Sequence, residues 1–267
     1  MSAADTAELL DTARAAARAA AELLGSARPS AIRTKGNPRD LVTEWDLRSE
    51  ELIRKVLEER APGIPVLGEE AGEGAGALHR KGLRWIVDPI DGTVNFAHGL
   101  PIWSISIGLE DAGALQVGVV AAPALGWWFE ASLGGGARDG TGAPLAVSKI
   151  ERLDQAMLTT GFPYDRATHP ENNFARWEHM QRRAGACRRL GSASLDLCIV
   201  ANGWLDGYWE RRLKSWDIAA GVLIVAEAGG TVTNTQGGPF DVHAGEVLAS
   251  NGAIHQELIA ELRTVKA

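Results

Sequence analysis

The chain has 267 residues, 45% of them hydrophobic, which is enough apolar material for a large core in one domain or two closely packed ones. Its formal net charge of -7 gives no electrostatic reason for nucleic acid or an anionic membrane as main partner. The two cysteines, Cys187 and Cys198, belong to no zinc or CxxC pattern and read as reduced core thiols.

Residues 3–24 carry Leu9, Leu10, Ala13, Ala16, Ala17, Ala20, Leu23 and Leu24 at helical spacing, with Gly25 as a stop. Acidic and arginine residues run through this stretch, so it has no secretory apolar region, and the cytoplasm is the expected location. No apolar run reaches the length of a membrane span. Residues 26–40 read as a loop, and 44–60 as a helix burying Leu47, Leu52, Ile53, Val56 and Leu57. A strand over Ile64–Leu67 leads into Gly68-Glu69-Glu70, and the glycine-rich segment 71–81 reads as exposed. The stretch WIVDPIDGTVNF, residues 85–96, reads as a strand ending at Asp88, a turn at Pro89 and a helix from about Gly92.

A meander follows, with strands over 103–110, 116–121 and 127–131, then a turn at 138–141 before a strand over 145–147. Strands are next predicted over 157–160, 187–190, 206–210, 231–233 and 247–250. Helices are predicted over 170–184, 192–201, 216–228 and 253–265. This alternation implies a layered α/β architecture. A soft boundary near residue 145 divides an N-terminal α+β half, 1–145, from a C-terminal α/β half, 146–267, within one compact catalytic unit.

Four acids fall at element ends: Glu69, Asp88, Asp91 and Asp217. Each alone has a bland reading as a solvated charge, a turn former or a helix cap. Asp88 and Asp91 together, in an apolar surround, form a repelling pair that a divalent cation relieves. Free amides at the helix start after Asp91 suit phosphate oxygens. The chain offers no P-loop, no GxSxG elbow and no HExxH, so metal-assisted phosphate chemistry needs no protein nucleophile here. Asp46 alone reads as a first-turn helix acid favoured by the dipole.

The run WIVDPIDGTVNF resembles the signature of the inositol monophosphatase-like phosphatases. So do Lys35 with Asp40-Leu41-Val42-Thr43 and Asp46, Gly68-Glu69-Glu70, Gly191-Ser192-Ala193, and Trp216-Asp217-Ile218-Ala219-Ala220-Gly221. The matches keep their order from about residue 35 to 250. The resemblance implies a five-layered α-β-α-β-α sandwich assembled as a homodimer. It implies dependence on Mg²⁺, with two or three ions per site, and inhibition by lithium. By motif, Glu69, Asp88, Asp91, Asp217 and the Ile90 carbonyl would hold metal. Thr93 and Asp46, with Glu69 as a further catalytic group, would position and deprotonate the attacking water. The amides of Gly92 and Thr93 would hold phosphate, and Gly191, Ser192, Ala193 and Glu210 would face the substrate alcohol.

These implications make the chain a phosphate monoester hydrolase acting on myo-inositol monophosphate or a similar small polyol phosphate. Histidinol phosphate and fructose 1,6-bisphosphate are alternatives within the same family. A regulatory binding protein, using the basic run Arg182, Arg183, Arg188 and Arg189, is the alternative of another class; the plainer reading of that run is a solvated face. His98, near the motif, reads as structural. Trp127 and Trp128 are strand neighbours and point to opposite faces, one expected in the core and the other exposed in the dimer interface. Trp127→Ser or Trp128→Ser should then lower the mass in solution measured by light scattering. Unchanged mass in both variants rules that interface out.

Overall fold

The computed structural model describes residues 3–73 and 82–265; residues 74–81, most of the stretch expected to be exposed, lie outside it. In chain order come α1 (Ala3–Leu24), β1 (Ile32–Thr34), β2 (Leu41–Thr43), α2 (Glu44–Arg60), β3 (Val66–Gly68), β4 (Gly72–Glu73), β5 (Leu83–Asp91) and α3 (Thr93–Ala97). The meander is β6 (Ser104–Asp111), β7 (Ala114–Ala122), β8 (Trp127–Ser132) and β9 (Gly136–Asp139). Then follow β10 (Met157–Thr160), α4 (Phe174–Arg183), β11 (Ala186–Arg188), α5 (Ala193–Ala201), β12 (Gly207–Arg211), α6 (Ser215–Glu227), β13 (Thr231–Thr233), β14 (Glu246–Ser250) and α7 (His255–Thr264).

Two mixed sheets organise these elements. One has the order β4-β3-β5-β6-β7-β8-β9 and the other β11-β10-β12-β14-β13. Strand alternation sends Trp85, Val87, Ile105, Ile107, Val117 and Val119 toward α1 and α2. It sends Ile86, Val120 and Ala122 toward α5 and α6, which also cover Tyr208, Val247 and Ala249 of the second sheet. The outer face of that sheet, with Leu158, Trp209 and Leu248, packs on Met180 of α4 and Leu258 of α7. Three apolar cores thus lie between five layers, α-β-α-β-α, as the resemblance implied. Both cysteines are free and buried, as expected. No described helix is long and apolar enough to cross a membrane.

The central helix α6 sits unusually close to the large sheet. Gly108 and Gly118 are register partners on β6 and β7. A Cβ on Gly118 would come within 2.7 Å of the Ala220 carbonyl oxygen, and one on Gly108 within 3.0 Å of the Ala219 Cβ. The absent side chains make a groove for α6. That seat fixes where Asp217, in the first turn of α6, is delivered.

Several expectations are corrected. The strand does not end at Asp88 with a turn at Pro89; β5 continues to Asp91. Between Asp88↔Ser106 and Asp91↔Ser104, β5 advances three residues while β6 advances two, a one-residue bulge that accommodates Pro89. Residues three apart on a regular strand face opposite ways, and the extra residue lets Asp88 and Asp91 face one cavity. The loop predicted over 26–40 contains β1, which pairs antiparallel with β2. Residues 145–147 form no strand; β9 precedes the turn instead. Leu47 is exposed, because Asp46, Ser49 and Glu50 occupy the buried side of α2 with Ile53 and Leu57. Trp127 and Trp128 are both half-buried. Trp127 packs edge-on against Phe129 and Trp204, and Trp128 donates to Glu130 beneath the Arg18 guanidinium.

Candidate active site

One cavity of about 250 Å³ is lined by Glu69, Asp88, Asp91, Thr93, Glu210 and Asp217, among others. The fold therefore assembles acids that lie far apart in sequence. Glu69 follows β3, Asp88 and Asp91 flank the bulge of β5, Asp217 opens α6, and Glu210 stands on β12. Ile90, Gly92, Gly191, Ser192 and Ala193 line the same cavity. Asp46 stands behind it, fully buried, and reaches it through Thr93.

Each acid is held by local geometry. The Ile90 amide donates to Asp88 at 3.0 Å, and the Lys214 amide donates to Asp217 at 2.7 Å. Asp91 accepts from the Ser192 hydroxyl at 2.7 Å and from the Ser194 amide and hydroxyl at 2.7 and 2.6 Å. Ser104, from β6, bridges the same two serine hydroxyls. Asn95 donates to the Ile102 carbonyl at 2.7 Å and to the Leu190 carbonyl at 2.9 Å, tying α3 to the Gly191 turn. Gly92 caps α3 at φ +93°, a conformation that disfavours any side chain.

Asp46 serves two purposes. Its Oδ2 accepts from the Thr43 amide at 2.8 Å and the Thr43 hydroxyl at 2.6 Å, completing the capping box of α2. Its Oδ1 lies 3.0 Å from the Thr93 hydroxyl, which also lies 3.0 Å from the Ile90 carbonyl. A hydroxyl has one proton to give, so a Thr93 lone pair is left to accept one from water. The capping role and the functional role are therefore compatible in one carboxylate.

The electrostatics point to a cation. Burial raises Asp88 well above the ordinary carboxylate range, and the charges of Glu69, Asp91 and Asp217 raise it further. Burial likewise raises Asp217, with Asp91 and Glu69 adding to it. Burial raises Glu69 as well, with Lys35 and Asp88 opposing it. Burial works against the charge of Lys35, yet Glu69 and Glu70 outweigh it and hold the ammonium protonated. Its Nζ lies 2.8 Å from Glu69 and 2.6 Å from Glu70. Among the described residues no three acids, histidines or cysteines stand drawn together as a finished ion cage. The donor chemistry nevertheless fits a hard divalent cation, since of these four carboxylates, among the described residues, Glu69 alone is paired with a cation. An ion held by Glu69 would compete with Lys35 for that carboxylate.

Sequence reasoning missed several contributors. Glu50 accepts from the Glu70 amide at 2.7 Å and the Ala71 amide at 3.1 Å, and pairs with Arg54 at 2.8 Å, so it shapes the turn that carries Glu69. The helical spacing of Asp46, Glu50, Ile53 and Leu57 was the available signal, because it puts a second acid on the buried stripe. Arg182 pairs with Glu178 and Arg183 with Glu261, as a solvated face should. Arg189 is exposed as well, and it also lines the cavity with its guanidinium against Gly191. Among the described residues the His98 ring meets the Val94 carbonyl one turn back on α3, and no acid of the cavity.

Comparison with known proteins finds relatives that match along most of the chain. The model of the inositol monophosphatase family matches residues 5–267. The chain is 43% identical over 227 residues to an inositol-1-monophosphatase of Synechocystis, covering 85% of this chain and 78% of that protein. Its structure is similar to the inositol monophosphatase of Anabaena, with a TM-score of 0.88, 37% identity, and coverage of 97% and 96% of the two chains. It is also similar to an IMPase of Thermotoga maritima, with a TM-score of 0.85, 33% identity and 96% coverage of each chain.

The raised carboxyls have a measurable consequence. Their folded-state pKa values lie above those of the unfolded chain, so folding without metal takes up protons. Stability then falls as pH rises from the ordinary carboxylate value near ~4 toward about 7, the value burial gives Glu70. An ion that displaces those protons removes the penalty. Mg²⁺ should therefore raise the melting temperature more at pH 7.5 than at pH 5 in scanning fluorimetry. Equal shifts at the two pH values contradict this assignment.

Proposed function

The chain belongs to the inositol monophosphatase family, and on that premise we propose that it is a Mg²⁺-dependent phosphate monoester hydrolase acting on myo-inositol monophosphate. The observation that carries this reading is the convergence of Glu69, Asp88, Asp91, Thr93, Asp217 and Glu210 on one cavity. Glu69, Asp88, Asp91, Asp217 and the Ile90 carbonyl would hold two or three Mg²⁺ ions. When bound, those ions neutralise the phosphate, acidify water and stabilise the leaving alkoxide.

The chain's own groups do the rest. The amides of Gly92 and Thr93 orient the phosphate at the start of α3. Thr93 accepts a proton from the attacking water while donating its own toward Asp46, which is hydrogen-bonded to it at 3.0 Å. The wall formed by Gly191, Ser192 and Ala193 bounds the alcohol side. Glu210 is buried and accepts from the Tyr208 hydroxyl at 2.7 Å, and its carboxyl faces the substrate hydroxyls. A Cβ on Gly161 would fall within 2.1 Å of the Glu210 carboxyl, so that glycine gives Glu210 its place. Burial pushes Glu210 up to about 7, so it exchanges a proton near neutrality. We propose further that the enzyme is a cytoplasmic homodimer and is inhibited by lithium.

Asp88→Asn should reduce Mg²⁺-dependent phosphate release by more than about a hundredfold. Near wild-type release from that variant contradicts the assigned site. In a panel of kcat/KM values, inositol 1-phosphate should exceed histidinol phosphate, fructose 1,6-bisphosphate and a nucleotide 3′-phosphate. Faster turnover of histidinol phosphate displaces the inositol assignment while leaving the hydrolase intact.

A further inference from the structure

The cavity contains a second acid at its alcohol end that the reaction outlined above does not use. Asp196 lies in α5, a helix whose residues are buried all round, and is only 1% exposed. It lines the same cavity as Glu210. The Thr159 hydroxyl donates to Asp196 Oδ1 at 2.9 Å, and the Tyr208 hydroxyl donates to Glu210 Oε2 at 2.7 Å. Thr159 and Tyr208 are direct register partners on the parallel strands β10 and β12. Two neighbouring sheet positions therefore hold two carboxyls that line one cavity. Among the described residues no group bonds the remaining oxygen of either acid.

A buried carboxyl with an unused oxygen is costly unless something satisfies it. Neither of those oxygens is among the sealed, partnerless side-chain atoms of the described residues, so each opens to the cavity that both acids line. We propose that Asp196 is a specificity-determining residue that contacts the substrate, and that with Glu210 it reads two neighbouring hydroxyls of a ring polyol phosphate. The inference rests on the hydrolase reading above and deepens it by naming a two-point reader for the alcohol. Burial raises Asp196 well above the ordinary range, and the charge of Glu210 adds to this while Arg189 opposes it. Burial favours the protonated acid, whose second oxygen would donate as Glu210 accepts. A hydroxyl pair presents both kinds of partner. Arg189, laid against Gly191, stands at the edge of the same cavity and balances the two acids.

The test is the ratio of kcat/KM for myo-inositol 1-phosphate to that for p-nitrophenyl phosphate, whose leaving group has no hydroxyl to be read. Asp196→Ala should lower that ratio by about tenfold to a hundredfold, mainly through KM for the inositol substrate. Asp196→Asn keeps an acceptor for Thr159 and a donor for the cavity, and its ratio should stay within about threefold of wild type. Should Asp196→Ala fail to melt cooperatively, Thr159→Val takes its place, because it releases the aim of Asp196 without emptying the site; a fall in the ratio is again expected. A ratio unchanged in the truncated variants, or equal falls for both substrates, overturns the inference. Wild-type protein that releases phosphate from neither substrate, or from p-nitrophenyl phosphate alone, instead overturns the functional reading beneath it.

Discussion

Glu69, Asp88, Asp91 and Asp217 line one cavity, and the charges of Glu69, Asp91 and Asp217 make ionisation of Asp88 harder. Asp88 bears the largest share, since it is fully withdrawn from water and stands beside the other three. No apolar core gains from such a cluster. Lys35 relieves part of the repulsion at Glu69 and Glu70, and hydroxyls and amides of the 192–194 turn relieve part of it at Asp91. The remainder is a standing demand for positive charge, and the surrounding structure is arranged so that the demand is met in one place.

That arrangement starts in the sheets. The bulge at Pro89 turns Asp88 and Asp91 to one side, and the glycine pair Gly108 and Gly118 lets α6 settle close enough to bring Asp217 opposite them. Glu50, from inside α2, shapes the turn carrying Glu69. Ser104 and Asn95 link β6 and α3 to the turn over 190–194. The site is thus tied to both sheets and to the helix layer between them. On the proposed reading, the end beside Gly92 and Thr93 would take the phosphate and the end with the buried acids Asp196 and Glu210 the polyol.

Much of this was legible in the sequence. Asp88, Asp91, Gly92 and Thr93 lie within six residues, and long helices such as α1 and α2 declare themselves through apolar spacing. What escaped was tertiary. Pro89 reads as a stop because proline usually removes a strand bond, yet a bulge tolerates it. β1 has three exposed residues and no alternation to detect. Asp196 is one acid inside an otherwise apolar helix, and only the pairing of β10 with β12 reveals its partner. Arg189 reads as one more surface charge in a basic run until the Gly191 turn folds it against the cavity.

The central claim is that the clustered carboxylates are a divalent-cation site. The most direct measurement is a crystal structure grown with Mn²⁺, whose anomalous signal reports ion positions without reference to activity. The account predicts anomalous peaks within bonding distance of Glu69, Asp88, Asp91 and Asp217, with the Lys35 ammonium displaced from Glu69. Peaks confined to other parts of the surface, with Lys35 still bridging Glu69 and Glu70, would contradict it.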